Sequence, residues 1–282
     1  MAHFIRDLLR LDRRPKLHEA TLVLAFDGWM DGGSVSTGTV QRLIDLLEAR
    51  PFAEIDPDSF YLYNFPGPME LAALFRPNIE IEEGLIKTLA MPSAQFFVHE
   101  AANLVLFLGR EPNLRWPTFA DCILELVTMV GVRRILFVGS FGGSVPHTRE
   151  PRLYVTCSHP DMLPEMEPYA LRRSAYEGPG SFASYLMTQV AEVGVRMASL
   201  AAEIPGYLQG PNPVCIEAVM RRLAKILRLP LDLAPLRAAS TEWELAVTAA
   251  IEKDEDMAAK VREMEEAYDN ELLRRGGDSE LE

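Results

Sequence analysis

The chain has few cysteines. Its 282 residues hold three, Cys122, Cys157 and Cys215, which are far apart, odd in number and in no C-x-x-C arrangement. That argues against a disulfide framework or a cysteine-based zinc site, and it fits a reduced, cytoplasmic compartment. Histidine is scarce too. The five, at positions 3, 18, 99, 147 and 159, show no H-E-x-x-H or H-x-H spacing. Cys157 and His159 share one face of an expected strand, but two ligands do not make a metal site.

Positive charge is also in deficit. Lys and Arg number 28 against 41 Asp and Glu, a net charge of −13. Such a surface does not neutralise phosphates, so nucleic acid is not an expected partner. No stretch approaches ~18 uncharged apolar residues, so no membrane span and no membrane partner is expected. The opening "MAHFIRDLLRLDRRPK" lacks the apolar h-region of a secretory signal. There is no Walker A pattern, no G-x-G-x-x-G and no G-x-S-x-G nucleophile elbow, so no cofactor is expected.

What is present is an ordinary globular balance, 48% hydrophobic and 24% charged. The length suits one large domain or a core with a smaller appendage. Short apolar runs at 20–29, 103–113, 133–140 and 152–159 read as strands, as does the aromatic run "SFYLYNF" at 59–65. Residues 79–92 alternate and read as an exposed antiparallel pair. Helical spacing appears over 34–50, with Ser34 as N-cap, and over 118–131, ending near Gly131. Residues 181–204 read as a long helix, with an alternating stretch near Val190–Val195 that also suits a short strand. Residues 213–229 form an amphipathic helix. Residues 240–275 read as one long helix capped at Ser240 or Thr241 with Glu244 completing a capping box, its heptad seam interrupted at Asp254. Strands and helices alternate through the first half, and core strands are apolar on both parities. This predicts an α/β fold, a three-layer α/β/α sandwich with a mostly parallel sheet, plus a C-terminal helical extension. We expect an α/β core over residues 1–204 and an extension over 205–282. The stretch 252–282 is acidic, with a net charge of −7, leaving −6 for the rest.

Polar, Gly-containing turns follow the core strands, where open α/β sheets bind ligands. "FDGWMDGGS" offers Asp27, Trp29 and Asp31 ahead of a helix. "LGREPNLRW" offers Glu111. "GSFGGSVPHTREP" offers His147 and Arg149 after the strand at 133–140, and "YEGPGSFASYL" offers Glu177. Each group has two readings. The carboxylates can hold a hydroxyl-rich ligand or a cation, or simply cap turns. Glu111 can act as a base, or pair with Arg110 or Arg115. His147 can move a proton and Arg149 can hold an anion, or the two can fasten a loop. Ser140 lacks the spacing of a nucleophile.

The segments "AFDGWMDGG", "FRPNI", "LGREPNLRW", "GSFGGSVPHTREP", "EGPGSFASYL" and "IPGYLQGPNP" occur in an order that resembles the PAC2 family, over about residues 20–270. The family is named for proteasome assembly chaperones, and the likeness is to its actinobacterial members. Two positions depart from its pattern. Gly206 stands where the family has His, and Gly180–Ser181 where it has Thr–Gly. The resemblance implies a phosphorylase/hydrolase-like α/β core, a helical C-terminal extension and self-association. A non-enzymatic assembly or protein-interaction module is therefore expected, and the long heptad-like C-terminal helix suits packing on its own core or on a protein partner. The alternative is a small-molecule binding protein or a hydrolase/phosphorylase-like enzyme. Its pocket would be lined by Asp27, Trp29, Asp31, Glu111, His147, Arg149 and Glu177, and its ligand would be a nucleoside or sugar phosphate.

Overall fold

Side-chain alternation along the apolar runs sets the layers. In β2 (Ala20–Asp27) Leu22, Leu24 and Phe26 enter one buried cluster while Val23 and Ala25 enter another. A strand buried on both faces needs helices above and below it. In the computed structural model, which describes residues 7–169 and 171–278, that is the arrangement. His3 lies outside the described residues.

The strands in chain order are β1 (Leu9–Leu11), β2, β3 (Arg50–Ile55), β4 (Asn78–Glu82), β5 (Leu85–Ala90) and β6 (Ala94–His99). There follow β7 (Leu104–Arg110), β8 (Val132–Gly143), β9 (Leu153–Cys157), β10 (Arg172–Arg173) and β11 (Arg196–Pro205). The helices are α1 (Val35–Leu47), α2 (Met69–Ala73), α3 (Trp116–Val130) and α4 (Met162–Met166). After these come α5 (Phe182–Gln189), α6 (Pro213–Leu227), α7 (Ala234–Ile251) and α8 (Glu255–Asp278).

The main sheet has the order β1-β3-β6-β7-β2-β8-β11-β9-β10. Its centre, β7-β2-β8-β11, is parallel, while β6 and β9 pair antiparallel to that centre on either side. The expected α/β/α sandwich is thus present, with a mixed sheet that is parallel in the middle. Helices α3 and α5 cover one face and α1 and α6 the other. The first face is aromatic. Phe107 lies 5.1 Å from Phe26 and 4.7 Å from Phe96, centroid to centroid, and Phe182 meets Phe119 edge-on at 5.2 Å. No helix among the described residues is long and apolar enough to cross a membrane.

Three expectations are corrected. Residues 59–65 are not a strand. Phe60 and Tyr61 are buried, but the Phe60 carbonyl accepts from Asn113 and Leu114, and the Leu62 N–H donates to the Asn113 side chain. The loop after β7 thus takes the backbone groups that a neighbouring strand would need. The strand here is β3, whose Pro51 sits at a register shift against β6, where a missing N–H is tolerated. The long helix expected over 181–204 is instead α5, a 3₁₀ turn at Val190–Val193 and then β11. Two-sided pairing with β8 and β9 outweighs the local spacing of "RMASLAAEIP". The helix expected over 240–275 is two. Residues 252–254 break it, and Asp254, the residue that interrupts the heptad seam, accepts from Met257 N–H at the start of α8. Ser240 and Thr241 lie inside α7 and donate to carbonyls four residues back, so neither is a cap.

The aromatic cluster should dominate stability. Phe107→Ala is expected to cost about 3–5 kcal/mol in urea denaturation, because Phe107 is fully buried among three other rings. Leu245→Ala on the outer side of α7 should change it by less than about 0.5 kcal/mol.

Candidate functional site

The chain leaves β2 toward α1 on one face and leaves β7 toward α3 on the other. The carboxyl ends of β2 and β7 therefore flank a crevice of the kind that holds ligands in open α/β sheets. Here it holds the chain's own carboxylate. Glu111 Oε2 accepts from Trp29 N–H at 2.8 Å, and Oε1 accepts from Phe182 N–H at 2.7 Å, the first residue of α5. Gly28 makes room for Glu111, since a Cβ there would fall 2.7 Å from the Glu111 Cβ. Ser181 adds a cap to α5 by accepting from Ser184 N–H, so serine at this departure from the family pattern has a local role.

Asp31, not Ser34, caps α1. Its carboxylate accepts from Thr37 N–H at 3.1 Å and from the Thr37 hydroxyl at 2.7 Å, while Ser34 is in a left-handed conformation with no side-chain cap. Burial pushes the Asp31 carboxyl up to about 6, outweighing the hydrogen bonds from Thr37 that pull it down. Ser140 is fully buried and donates to the Gly32 carbonyl at 2.7 Å, so its hydroxyl braces the same turn. Asp27 and Trp29 are exposed on this turn. Asp27, Trp29, Asp31 and Glu111 thus belong to one cluster.

His147 and Arg149 belong to another. The His147 ring is buried, with Nδ1 2.7 Å from the Tyr207 hydroxyl and Nε2 3.1 Å from the Thr248 hydroxyl. The Tyr207 oxygen accepts from His147 N–H, and the Thr248 hydroxyl donates to the Glu244 carbonyl. These roles assign the tautomer: Tyr207 O–H donates to Nδ1, and Nε2–H donates to Thr248. Burial lowers the imidazole's pKa, which keeps it neutral. Arg149 makes a two-pronged pair with Asp269 at 2.9 Å and reaches Glu265, to which Thr148 also donates. The loop is fastened to α7 and α8. Glu177 stands on an exposed segment before α5, and none of these hydrogen bonds involves it.

The strongest polar cluster lies beside this loop and escaped the sequence reading. Glu203, buried near the end of β11, accepts from Ser144 and Val145 N–H at 2.9 and 3.1 Å. It also accepts from Arg152 at 3.3 Å and from the Tyr154 hydroxyl at 3.2 Å. Arg152 in turn reaches Glu271 of α8 at 2.7 Å and lies 4.6 Å over the Tyr268 ring. Arg172 also pairs with Glu271, and Tyr268 donates to the Glu150 carbonyl at 2.9 Å. Gly143 is required here, because a Cβ would fall 2.4 Å from the Glu203 carboxylate. Gly206, the other departure, donates its N–H to Gly143 at 3.0 Å and places Tyr207 against His147. A carboxylate inside the apolar run "ASLAAEIP" was the available signal, hidden by the helical reading. Among the described residues no group of three or more His, Cys, Asp or Glu is arranged to hold a metal ion.

The fold and this edge define a class, a mixed-sheet α/β/α sandwich whose own C-terminal helices seal part of the carboxyl edge. The chain belongs to the PAC2 family, whose model matches residues 25–251. Its structure is similar to a Mycobacterium tuberculosis protein of unknown function, at 22% identity over 97% of this chain and 92% of that one, TM-score 0.84. It is also similar to a proteasome-assembly chaperone homologue from Mycobacterium tuberculosis, at 28% identity over 86% and 99%, TM-score 0.73. An archaeal proteasome activator from Pyrococcus furiosus shares the fold at 19% identity over 86% and 97%, TM-score 0.65. No curated protein matches.

Two measurements probe the edge. The folded protein holds the Asp31 proton that the unfolded chain gives up near pH 3.8, so this contribution is whole below that pH and lost as pH rises through about 6. Carboxyl NMR should titrate Asp31 near 6, and Asp31→Asn should flatten the stability profile between pH 4 and 6. Glu203→Ala leaves Arg152 buried against one fewer carboxylate and should cost about 3–5 kcal/mol in denaturant unfolding. Asp269→Asn, at the exposed rim of α8, should change stability little.

Proposed function

We propose that the chain is a non-enzymatic assembly or chaperone-like module, a rigid α/β core that self-associates and contacts protein partners. One observation carries the reading. The polar groups best suited to chemistry at the carboxyl edge are engaged by the chain itself: Glu111 by two N–H groups, His147 through both ring nitrogens, Arg149 by two carboxylates. A general base or an anion clamp needs a free face toward its substrate. Membership in the PAC2 family and likeness to a proteasome-assembly chaperone homologue support a partner related to the proteasome core. We further propose that residues 1–204 form the core and 205–282 the extension. The outer face of α8 offers a second contact for a partner, and the protein works in the cytoplasm.

The competing reading is a small-molecule pocket at Asp27, Trp29, Asp31 and Glu111, extended by His147, Arg149 and Glu177. The raised Asp31 carboxyl beside an exposed indole favours it. Thermal shift separates the two. A native-state ligand must raise stability, so nucleosides, inorganic phosphate and sugar phosphates at millimolar concentration are expected to leave Tm unchanged. Biolayer interferometry against proteasome core subunits from the source organism is expected to show saturable binding. A reproducible Tm rise with one compound, together with no binding to the core subunits, would reverse the assignment.

A further inference from the structure

Ten of the seventeen exposed large apolar side chains of the described residues fall between Phe65 and Met91. This arm is anchored at its base. Phe65 and Phe75 stack 5.1 Å apart, the Arg76 guanidinium donates to Asn64 Oδ1 at 3.1 Å, and the Arg110 guanidinium donates to the Leu74 carbonyl at 3.0 Å. Its outer part is the hairpin β4–β5, in which every strand residue is exposed. The register makes the hairpin two-sided. Ile79 faces Leu89 and Ile81 faces Ile86 on one side, while Glu80 and Glu82 stand on the other. A lone two-stranded hairpin is marginal in water, and a large apolar patch marks an interface.

The same arm carries a groove of about 440 Å³ lined by Phe65, Pro66, Met69, Ala72, Ala73 and Arg76. We propose that the apolar face of the hairpin docks into this groove on a second copy of the chain. Area selects that occupant. The ten side chains are 42–79% exposed. At on the order of 180 Å² each, they offer roughly 1,000 Å² per copy, above the ~800 Å² per partner of a standard interface. Glu80 and Glu82 stand on the opposite side of the hairpin, so docking the apolar face leaves both carboxylates in water. Donor face and acceptor groove are both largely apolar and both present on one chain, and the contact closes as a twofold pair or a small ring. This deepens the self-association of the proposed function and rests on it.

Sedimentation velocity of the full chain over a concentration series tests the contact. The wild type is expected to be oligomeric. Ile81→Glu with Ile86→Glu, both on exposed positions, should weaken association on the order of 100-fold while circular dichroism and Tm stay as in wild type. Arg76→Glu should weaken it in the same direction. A chain carrying Ile86→Cys mixed with one carrying Ala72→Cys should form an intermolecular disulfide under oxidation. Oligomers unchanged by the hairpin variants would overturn the proposed contact and leave self-association through another surface standing. A wild type that is monomeric at every concentration would overturn both. Hairpin variants that keep the oligomer but lose binding to proteasome core subunits would reassign the face to that partner.

Discussion

A carboxylate buried at the end of a central strand is costly unless its lone pairs are filled. Glu203 of β11 fills them with two backbone N–H groups, the Arg152 guanidinium and the Tyr154 hydroxyl. That requirement fixes the loop after β8, because Ser144 and Val145 must aim their N–H groups inward. It also fixes Arg152, whose second nitrogen then reaches Glu271 and holds α8 to the edge. The placement of His147 and Arg149 follows from the same loop geometry. The imidazole turns to Tyr207 and Thr248, and the guanidinium turns to Asp269.

The crevice between β2 and β7 repeats the device with Glu111. In both places a glycine, Gly28 or Gly143, clears the volume in which the carboxylate lies. In both places the acceptor oxygens gather N–H groups from segments far apart in sequence. An edge built this way fills the acceptor oxygens of its carboxylates from within the chain, though Arg152 Nε is buried without a hydrogen-bond partner, and it suits a scaffold that presents surface to partners. The uncovered apolar surface is concentrated elsewhere, on the arm and hairpin that leave the sandwich.

Much of the fold was legible in the chain. The central strands, α1, α3, α6 and the exposed hairpin follow from periodicity alone, and Gly131 ends α3 where expected. The aromatic run at 59–65 misled because its side chains are core residues while its backbone bonds to a loop. The β11 segment misled because alanines and an acid suit a helix locally, and only pairing on both sides makes a strand of them. The candidate residues could be named from the chain, but their grouping could not. Asp27, Trp29, Asp31 and Glu111 gather on one side, His147 and Arg149 are held by α7 and α8, and Glu177 stands on a separate exposed segment. Glu203, Tyr207, Thr248 and Asp269 went unnoticed, since their partners lie 49 to 120 positions away.

By itself the sequence determined the layer type, the order of the core elements, the acid balance and the family motifs. These depend on local periodicity and composition, which a single chain displays. The tertiary structure alone decided what the polar loop residues do. A histidine, an arginine or a buried glutamate takes its role from whichever groups folding places within about 3 Å, and hydrogen bonds are that short. In "GSFGGSVPHTREP" that distance is filled by the chain's own C-terminal helices.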